Sequence, residues 1–510
     1  MKPNPLNATK SLGYEVKRIF GVFVLFLPRL LFLKGGNISP CGVLIPTCHQ
    51  NNSYCSDAIF TPVLSDIMQI KATYKDIWSL AYPIILANFA QNIISLTDIV
   101  FLGRVDEIQQ GACGLISTYY FIMVTIGLAF SRGGQILISR RAGQKQYEDI
   151  GRITLNLLYA QLALASVLFL FLIFFSPSVL KLFISSHDIY EASLRYLKYR
   201  SYGLFFSFFG FVLMALYTSI GRTRIIAIIT GILCITNIGL NYILVFGKFG
   251  FPAMGIGGSA LASTISEVVA FVFTVFYLIY DKKLIPFGLR KLWKWDGEMQ
   301  KRMAILSMPL VIQFIVGLGG WFIFLSFIEK MGQRELAISV VLKIIYTGFS
   351  IPSWGFASAV NAIVSNLIGQ HKYSQVFAAI MRTVLLSVIF TLVLCLVLML
   401  IPETLLALFT NDPNVITGAK PILPVLVAII LSCSLSVIVF NGLMGTGATY
   451  ISLFIESVTI VIYLTYGYLM TNVYVLGLTY VWSAEFLYWV LLSVPAWIFL
   501  HSERWKGVEL

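Results

Sequence analysis

The chain has 510 residues, of which 58% are hydrophobic and only 12% charged, far too apolar a balance for a soluble protein of this length. Its net charge of +13 sits in short gaps between apolar runs, where Lys and Arg orient helices in a bilayer, so a nucleic-acid partner is excluded. The composition gives an all-α polytopic membrane protein.

Residues 1–67 contain one apolar run, Ile19 to Leu33. It is shorter than the ~20 residues a span needs and is broken by Pro28 and Arg29, so it reads as interfacial. Lys34 to Cys41 is a poor secretory cleavage site. Met68 stands just upstream of the first long apolar stretch, so 1–67 reads as a dispensable appendage or a miscalled start. Cys41, Cys48 and Cys55 form an odd trio with only His49 nearby and no CxxC pair, and no metal centre is expected from them. Cys113, Cys234, Cys395 and Cys433 read as small buried residues of apolar helices.

The first span, Asp76 to Arg104, carries Pro83 near its start and Asp98 near its end. Pro83 removes the backbone bond to the Ser79 carbonyl and tends to bend the helix, while a carboxylate at membrane depth calls for a partner. The blander alternatives are a proline of the kind common in membrane helices and an aspartate reaching headgroup water.

Apolar length predicts twelve spans, at about 76–103, 111–139, 151–176, 193–220, 224–247, 255–280, 302–328, 335–366, 375–401, 415–443, 449–471 and 477–500. Gaps after even-numbered spans carry Arg140, Arg141 and Lys145, then Arg222 and Arg224, then Lys282 to Arg302 with seven basic residues. The positive-inside rule makes those gaps cytoplasmic, with both ends of the twelve-helix core inside. The gap 185–200 is also basic and falls outside in this scheme.

One fixed offset of 226 relates Pro83 to Pro309, Phe130 to Phe356, Ser139 to Ser365, Gly143 to Gly369, Gln144 to Gln370 and Tyr147 to Tyr373. An even number of spans per half keeps the halves parallel, which predicts two pseudo-symmetric six-helix lobes about an axis along the membrane normal, with a cavity between them. The N-terminal lobe is 68–280 and the C-terminal lobe 302–510. The linker 281–301, with Trp293 and Trp295 among lysines, reads as an interfacial helix.

Direction of travel fixes depth at about 1.5 Å per residue. Asp98 falls in the outer half of the first span. Asn237 and Asn241 lie on one face of the fifth, Ser263 at similar depth on the sixth, and Glu267 one turn deeper. Such oxygen-bearing groups suit a hard cation such as Na⁺ at Asp98, Asn237 and Asn241, and a proton on Asp98 is the alternative. Taken singly, the asparagines also read as interhelical hydrogen-bond donors and Ser263 as a packing residue.

Pro83 to Gly103, Arg141-Ala-Gly-Gln-Lys-Gln-Tyr147, Gly221-Arg-Thr-Arg224, Asn237 to Gly247 and Gly255 to Ser263 together resemble the multidrug and toxic compound extrusion (MATE) transporters across about residues 70–500. The resemblance implies two six-helix lobes exporting organic cations and other amphiphiles against Na⁺ or H⁺ entry. It matches Asp98 to the family's cation-linked aspartate, Pro83 to its bending proline, and Asn237, Asn241 and Ser263 to its polar ligands. Asn241 stands where some members carry Asp, and no acid occupies the seventh span near Gly317. The offset sends Asp98 to Phe324, which favours coupling in the N-terminal lobe.

Gln91, Gln313, Arg132, Glu456 and Glu485 are candidate cavity residues, with interhelical pairing as the alternative for the glutamates. No Gly-x-x-x-x-Gly-Lys or His-Glu-x-x-His motif occurs, and the histidines are scattered at His49, His187, His371 and His501, so an enzyme or ATP-driven pump is not expected. The expectation is a monomeric antiporter of the cell membrane, taking a small cationic or amphiphilic substrate and using Na⁺ or H⁺ without a cofactor. A lipid-linked saccharide flippase is the alternative.

Overall fold

A computed structural model describes residues 69–289, 294–410 and 412–508; the segment 1–67 and Met68 lie outside them. Every regular element among the described residues is helical. In chain order these are α1 (Tyr74–Gly103), α2 (Glu107–Gly143), α3 (Tyr147–Phe174), α4 (Ser176–Phe183), α5 (His187–Arg200), α6 (Gly203–Ser219), α7 (Arg224–Phe246) and α8 (Ile256–Tyr280) in the first half. The second half has α9 (Gly297–Glu329), α10 (Gln333–Gly369), α11 (Tyr373–Leu400), α12 (Pro402–Ala407), α13 (Pro413–Ala419), α14 (Leu423–Gly445), α15 (Thr449–Tyr468) and α16 (Leu478–His501). Eleven helical stretches, α13 and α14 counted as one, are long and apolar enough to cross a membrane, and α5 with α6 makes a twelfth.

The 226-residue repeat is written into the helix ends. Glu107 and Gln333 open α2 and α10, Gly143 and Gly369 close them, and Tyr147 and Tyr373 open α3 and α11. Equivalent residues also touch one another. Arg132 Nη1 donates to Ser358 Oγ at 2.9 Å and Gln135 Nε2 to Asn361 Oδ1 at 3.3 Å, each pair 226 apart. A residue can meet its own equivalent only beside a pseudo-twofold axis, so the lobes stand parallel and the axis passes between α2 and α10. This is the two-lobe architecture expected from the repeat.

The lobes close on each other at one end. A Cβ on Gly143 would lie 2.1 Å from the Asn366 carbonyl oxygen, and one on Gly369 would lie 2.2 Å from that of Arg140. Bare backbone is what lets α2 and α10 approach so closely. Arg140 bridges to the other lobe by donating to the Thr446 carbonyl at 2.7 Å and the Val508 carbonyl at 3.0 Å. Toward the opposite end the lobes diverge, and Phe121 on α2 and Trp354 on α10 stand exposed.

α1 starts with a capping box, in which Thr73 and Asp76 satisfy each other's backbone and side-chain groups. Pro83 sits inside it, and the Ser79 carbonyl that it leaves without an intrahelical donor accepts from Thr223 Oγ1 at 3.3 Å. The helix thus carries its break without an orphaned carbonyl.

Two expectations need correction. The fourth span is not one straight run over 193–220: it begins at His187 and bends by 54° between α5 and α6, so the basic stretch 185–200 is largely helix instead of an outer loop. Within the linker, the described part is a 3₁₀ turn, Lys282–Phe287, and a non-helical approach to α9 instead of an interfacial helix. Pro286 and Gly288 explain the short turn, and Gly288 adopts a left-handed conformation, φ 61°, that stops it. Asp296 then caps α9, accepting from Glu298 N at 3.1 Å and Met299 N at 3.2 Å, and pairs with Arg152. Trp293 lies outside the described residues.

Candidate functional site

Three helices of the N-terminal lobe converge on Asp98. The aspartate lies five residues before the end of α1 and is only 8% exposed. On α7, Asn237 and Asn241 are one turn apart and fully buried; on α8, Ser263 is buried at matching depth. Asn241 Nδ2 donates to Asp98 Oδ1 at 2.7 Å and to Asn237 Oδ1 at 3.0 Å. Asn237 Nδ2 donates to Ser263 Oγ at 3.0 Å, and Ser263 Oγ donates to Asp98 Oδ2 at 3.4 Å. The four residues close a ring, as the depth argument expected.

No basic side chain touches this carboxylate among the described residues. Among the described residues, Asn241 Oδ1 in the ring and the hydroxyl of Ser259 lack partners. Ser259 is one turn before Ser263 on α8, and its buried hydroxyl has no hydrogen-bond partner among the described residues. Sequence reasoning missed it, although its place on the Ser263 face was available as a signal. Buried oxygens with unused lone pairs beside a carboxylate are a donor set that fits a hard cation, and an unpaired carboxylate is equally able to take a proton. No group of three or more His, Cys, Asp or Glu suited to a transition metal occurs among the described residues.

Glu267 does not join the ring. Its carboxylate accepts two bonds from Arg200, at 2.7 and 2.9 Å, and one from Ser207 at 2.7 Å. Arg200 also lies over the Tyr120 ring, 4.4 Å from its centroid. Gly203 makes room for the pair, since a Cβ there would lie 2.2 Å from Arg200 Nη1 and 2.4 Å from Glu267 Oε2. The bend between α5 and α6 therefore brings Arg200 into the lobe and neutralises Glu267. Glu267→Gln would leave the arginine buried without its counter-charge, and a loss of about 3–5 kcal/mol is expected. Thermal unfolding of the purified variant checks this.

The remaining candidates separate. Gln91 is exposed. Gln313 is buried in the C-terminal lobe, where its Oε1 accepts from Ser452 at 3.1 Å. Glu456 and Glu485 are 4% and 5% exposed and accept from Tyr488 at 2.7 Å and Tyr463 at 2.6 Å. Both glutamates are therefore packed within their lobe, and Glu456 lies against the bare backbone of Gly317, 3.2 Å from where a Cβ would be. Phe324, the equivalent of Asp98, packs its ring at a tilt against Tyr463, with centroids 5.0 Å apart. Arg132 alone of the five sits where the two lobes meet.

Comparisons with known proteins bear on the family and the fold. The family model described as MatE matches twice, over residues 83–243 and 309–469, which are again 226 apart. A probable multidrug resistance protein NorM of Thermotoga maritima is 26% identical over 444 residues, covering 85% of this chain and 93% of that protein. A second probable NorM, from Synechocystis, is 26% identical over 349 residues, covering 68% of this chain and 75% of that protein. Among solved structures, an outward-facing multidrug resistance MATE family transporter of the MOP superfamily has a TM-score of 0.80 at 16% identity, covering 86% of this chain and 97% of that one. A MATE structure in the bent conformation gives 0.77 at 17% identity, covering 86% and 97%. These two share the fold. With one family model matched in both lobes and covering more than half of the sequence, the chain belongs to the MatE family of membrane transporters.

Proposed function

We propose that this transporter is an antiporter that exports small amphiphilic molecules in exchange for Na⁺ or H⁺, with Asp98 as the coupling group. The observation that carries the reading is a membrane-buried carboxylate held by neutral donors only, with the free oxygens of Asn241 and Ser259 beside it. A cation entering there is met by oxygens that already face it; a proton neutralises a charge that has no counter-ion in contact. The relatives' descriptions as multidrug resistance proteins support drug-like substrates and favour export over the flippase alternative.

Arg140, Arg141 and Lys145 crowd the end at which the lobes close. Under the positive-inside rule that end is cytoplasmic. The cleft then opens outward, and the ring around Asp98 lies in the outer half of the membrane, reachable from the side from which the ion enters. Pro83 belongs to the same device, because the helix that carries Asp98 is the one whose backbone ladder is interrupted.

The test is counterflow in proteoliposomes made with the purified chain in the cell-membrane orientation. An imposed inward Na⁺ or H⁺ gradient should accelerate export of a preloaded amphiphilic dye, and one of the two ions should suffice. Export at the same rate with and without either gradient contradicts the proposal.

A further inference from the structure

The charges that face the cleft differ from the charges buried in the lobes. Asp98, Glu456 and Glu485 are all less than a tenth exposed, and each is hydrogen-bonded inside its own lobe. Glu267 is paired with Arg200. Embedded acids thus do not line the space between the lobes, although the sequence suggested them for a cationic substrate.

Two cations do stand on its walls. Arg132 lies 11 residues before the end of α2, about 16 Å along the helix axis, at the level where the lobes come together. Among the described residues its guanidinium has one hydrogen-bond partner, the Ser358 hydroxyl, and no carboxylate pairs with it. Arginine offers five N–H donors, so most of its capacity is unused. The α10 face that brings Ser358 to Arg132 continues upward through Trp354, Thr347 and Lys343 at helical spacing. Trp354 is 41% exposed and Thr347 is exposed, with Ile351 buried between them, so this face is open at Trp354 and again above Ile351. Lys343 lies over the Trp321 ring, 3.8 Å from its centroid, and among the described residues no carboxylate pairs with it. The matching face of α2 carries Phe121, also exposed, above Arg132.

From this arrangement we infer that the cleft takes substrates bearing an acidic group, such as a carboxylate or sulfonate, on an aromatic body. The acid group sits on Arg132 at the floor and the rings lie against Trp354 and Phe121. A desolvated guanidinium with free donors forms strong paired bonds to an oxyanion, and exposed aromatics on facing walls suit flat apolar rings. Lys343 draws the same charge toward the opening. This rests on the proposed reading that the cleft between the lobes is the substrate path, and it specifies the class that path accepts.

Two xanthene dyes of like size and opposite charge separate the outcomes: carboxyfluorescein, an anion, and rhodamine 6G, a cation. Binding is followed by fluorescence anisotropy on the purified full chain in detergent with no gradient, so the result does not depend on ion coupling. Wild type should bind carboxyfluorescein, and Arg132→Gln should weaken it by roughly tenfold or more without weakening rhodamine 6G. Arg132→Lys, which keeps the charge but not the fork, should fall between them, and Lys343→Gln should cause a smaller loss for the anion only. A structural role for Arg132 would move both dyes together. Equal loss for both dyes, no loss for carboxyfluorescein, or a wild type that binds only rhodamine 6G or neither dye overturns the inference. If Arg132→Gln does not fold, Arg132→Lys and Lys343→Gln decide by the same ratio. Gradient-driven transport is measured separately on the wild-type chain, so failure of the coupling reading shows in transport and failure of this one in the gradient-free binding ratio.

Discussion

Asp98→Asn should reduce gradient-driven export to the level of passive leak while the protein stays folded and still binds substrate. A ligand shifts a conformational equilibrium only through its differential affinity for the two states. The Asp98 carboxylate is the one charged member of the ring it forms with Asn237, Asn241 and Ser263, and the amide removes the charge while keeping the shape. Stability should be unchanged or slightly raised, because a buried carboxylate without a basic partner is itself costly. Loss of binding together with export would indicate a misfolded variant instead. Asn241→Asp is the complement: a second carboxylate makes the ring more negative and should tighten cation binding. Ion-dependent protection against thermal unfolding, compared between the two variants, measures it.

Gly143→Val should disrupt closure of the lobes more than any substitution at the ion ring. The added Cβ would meet the Asn366 carbonyl oxygen at 2.1 Å, a backbone atom that no change of rotamer can move aside. Gly369→Val makes the reciprocal clash with Arg140, so the two variants should behave alike. A penalty of about 3 kcal/mol on the closed contact would shift its population roughly a hundredfold. Disulfide trapping between cysteines placed at Gln144 and Gln370, equivalent residues just beyond the two glycines, should slow accordingly in both variants. Trapping at the unmodified rate would mean that α2 and α10 do not meet as described.

Much of this was legible from sequence, and for identifiable reasons. Paired landmarks such as Gly143 with Gly369 and Tyr147 with Tyr373 fixed the repeat because each marks a helix end, and at the two glycines the facing helix leaves no room for a side chain. The ring at Asp98 was readable because Asn237 and Asn241 share a helical face and direction of travel sets depth. What escaped depends on contacts that periodicity does not encode. Arg200 was not singled out within the fourth span, because nothing in the periodicity shows that the break before Gly203 turns α5 inward onto Glu267. Glu456 and Glu485 had the right depth for a cavity, but Tyr488 and Tyr463 hold them inside the lobe. Lys343 drew no attention because a single lysine in an apolar run says nothing of which wall it faces.

Ion flux counted against substrate flux tests the coupling claim most directly. Proteoliposomes containing wild type or Asp98→Asn are given a substrate gradient and no ion gradient, and ²²Na⁺ entry and internal pH are recorded together. Wild type should move one of the two ions in fixed proportion to the substrate and against no initial driving force of its own, and Asp98→Asn should move neither. Ion movement in Asp98→Asn at the wild-type proportion would contradict the assignment of coupling to Asp98.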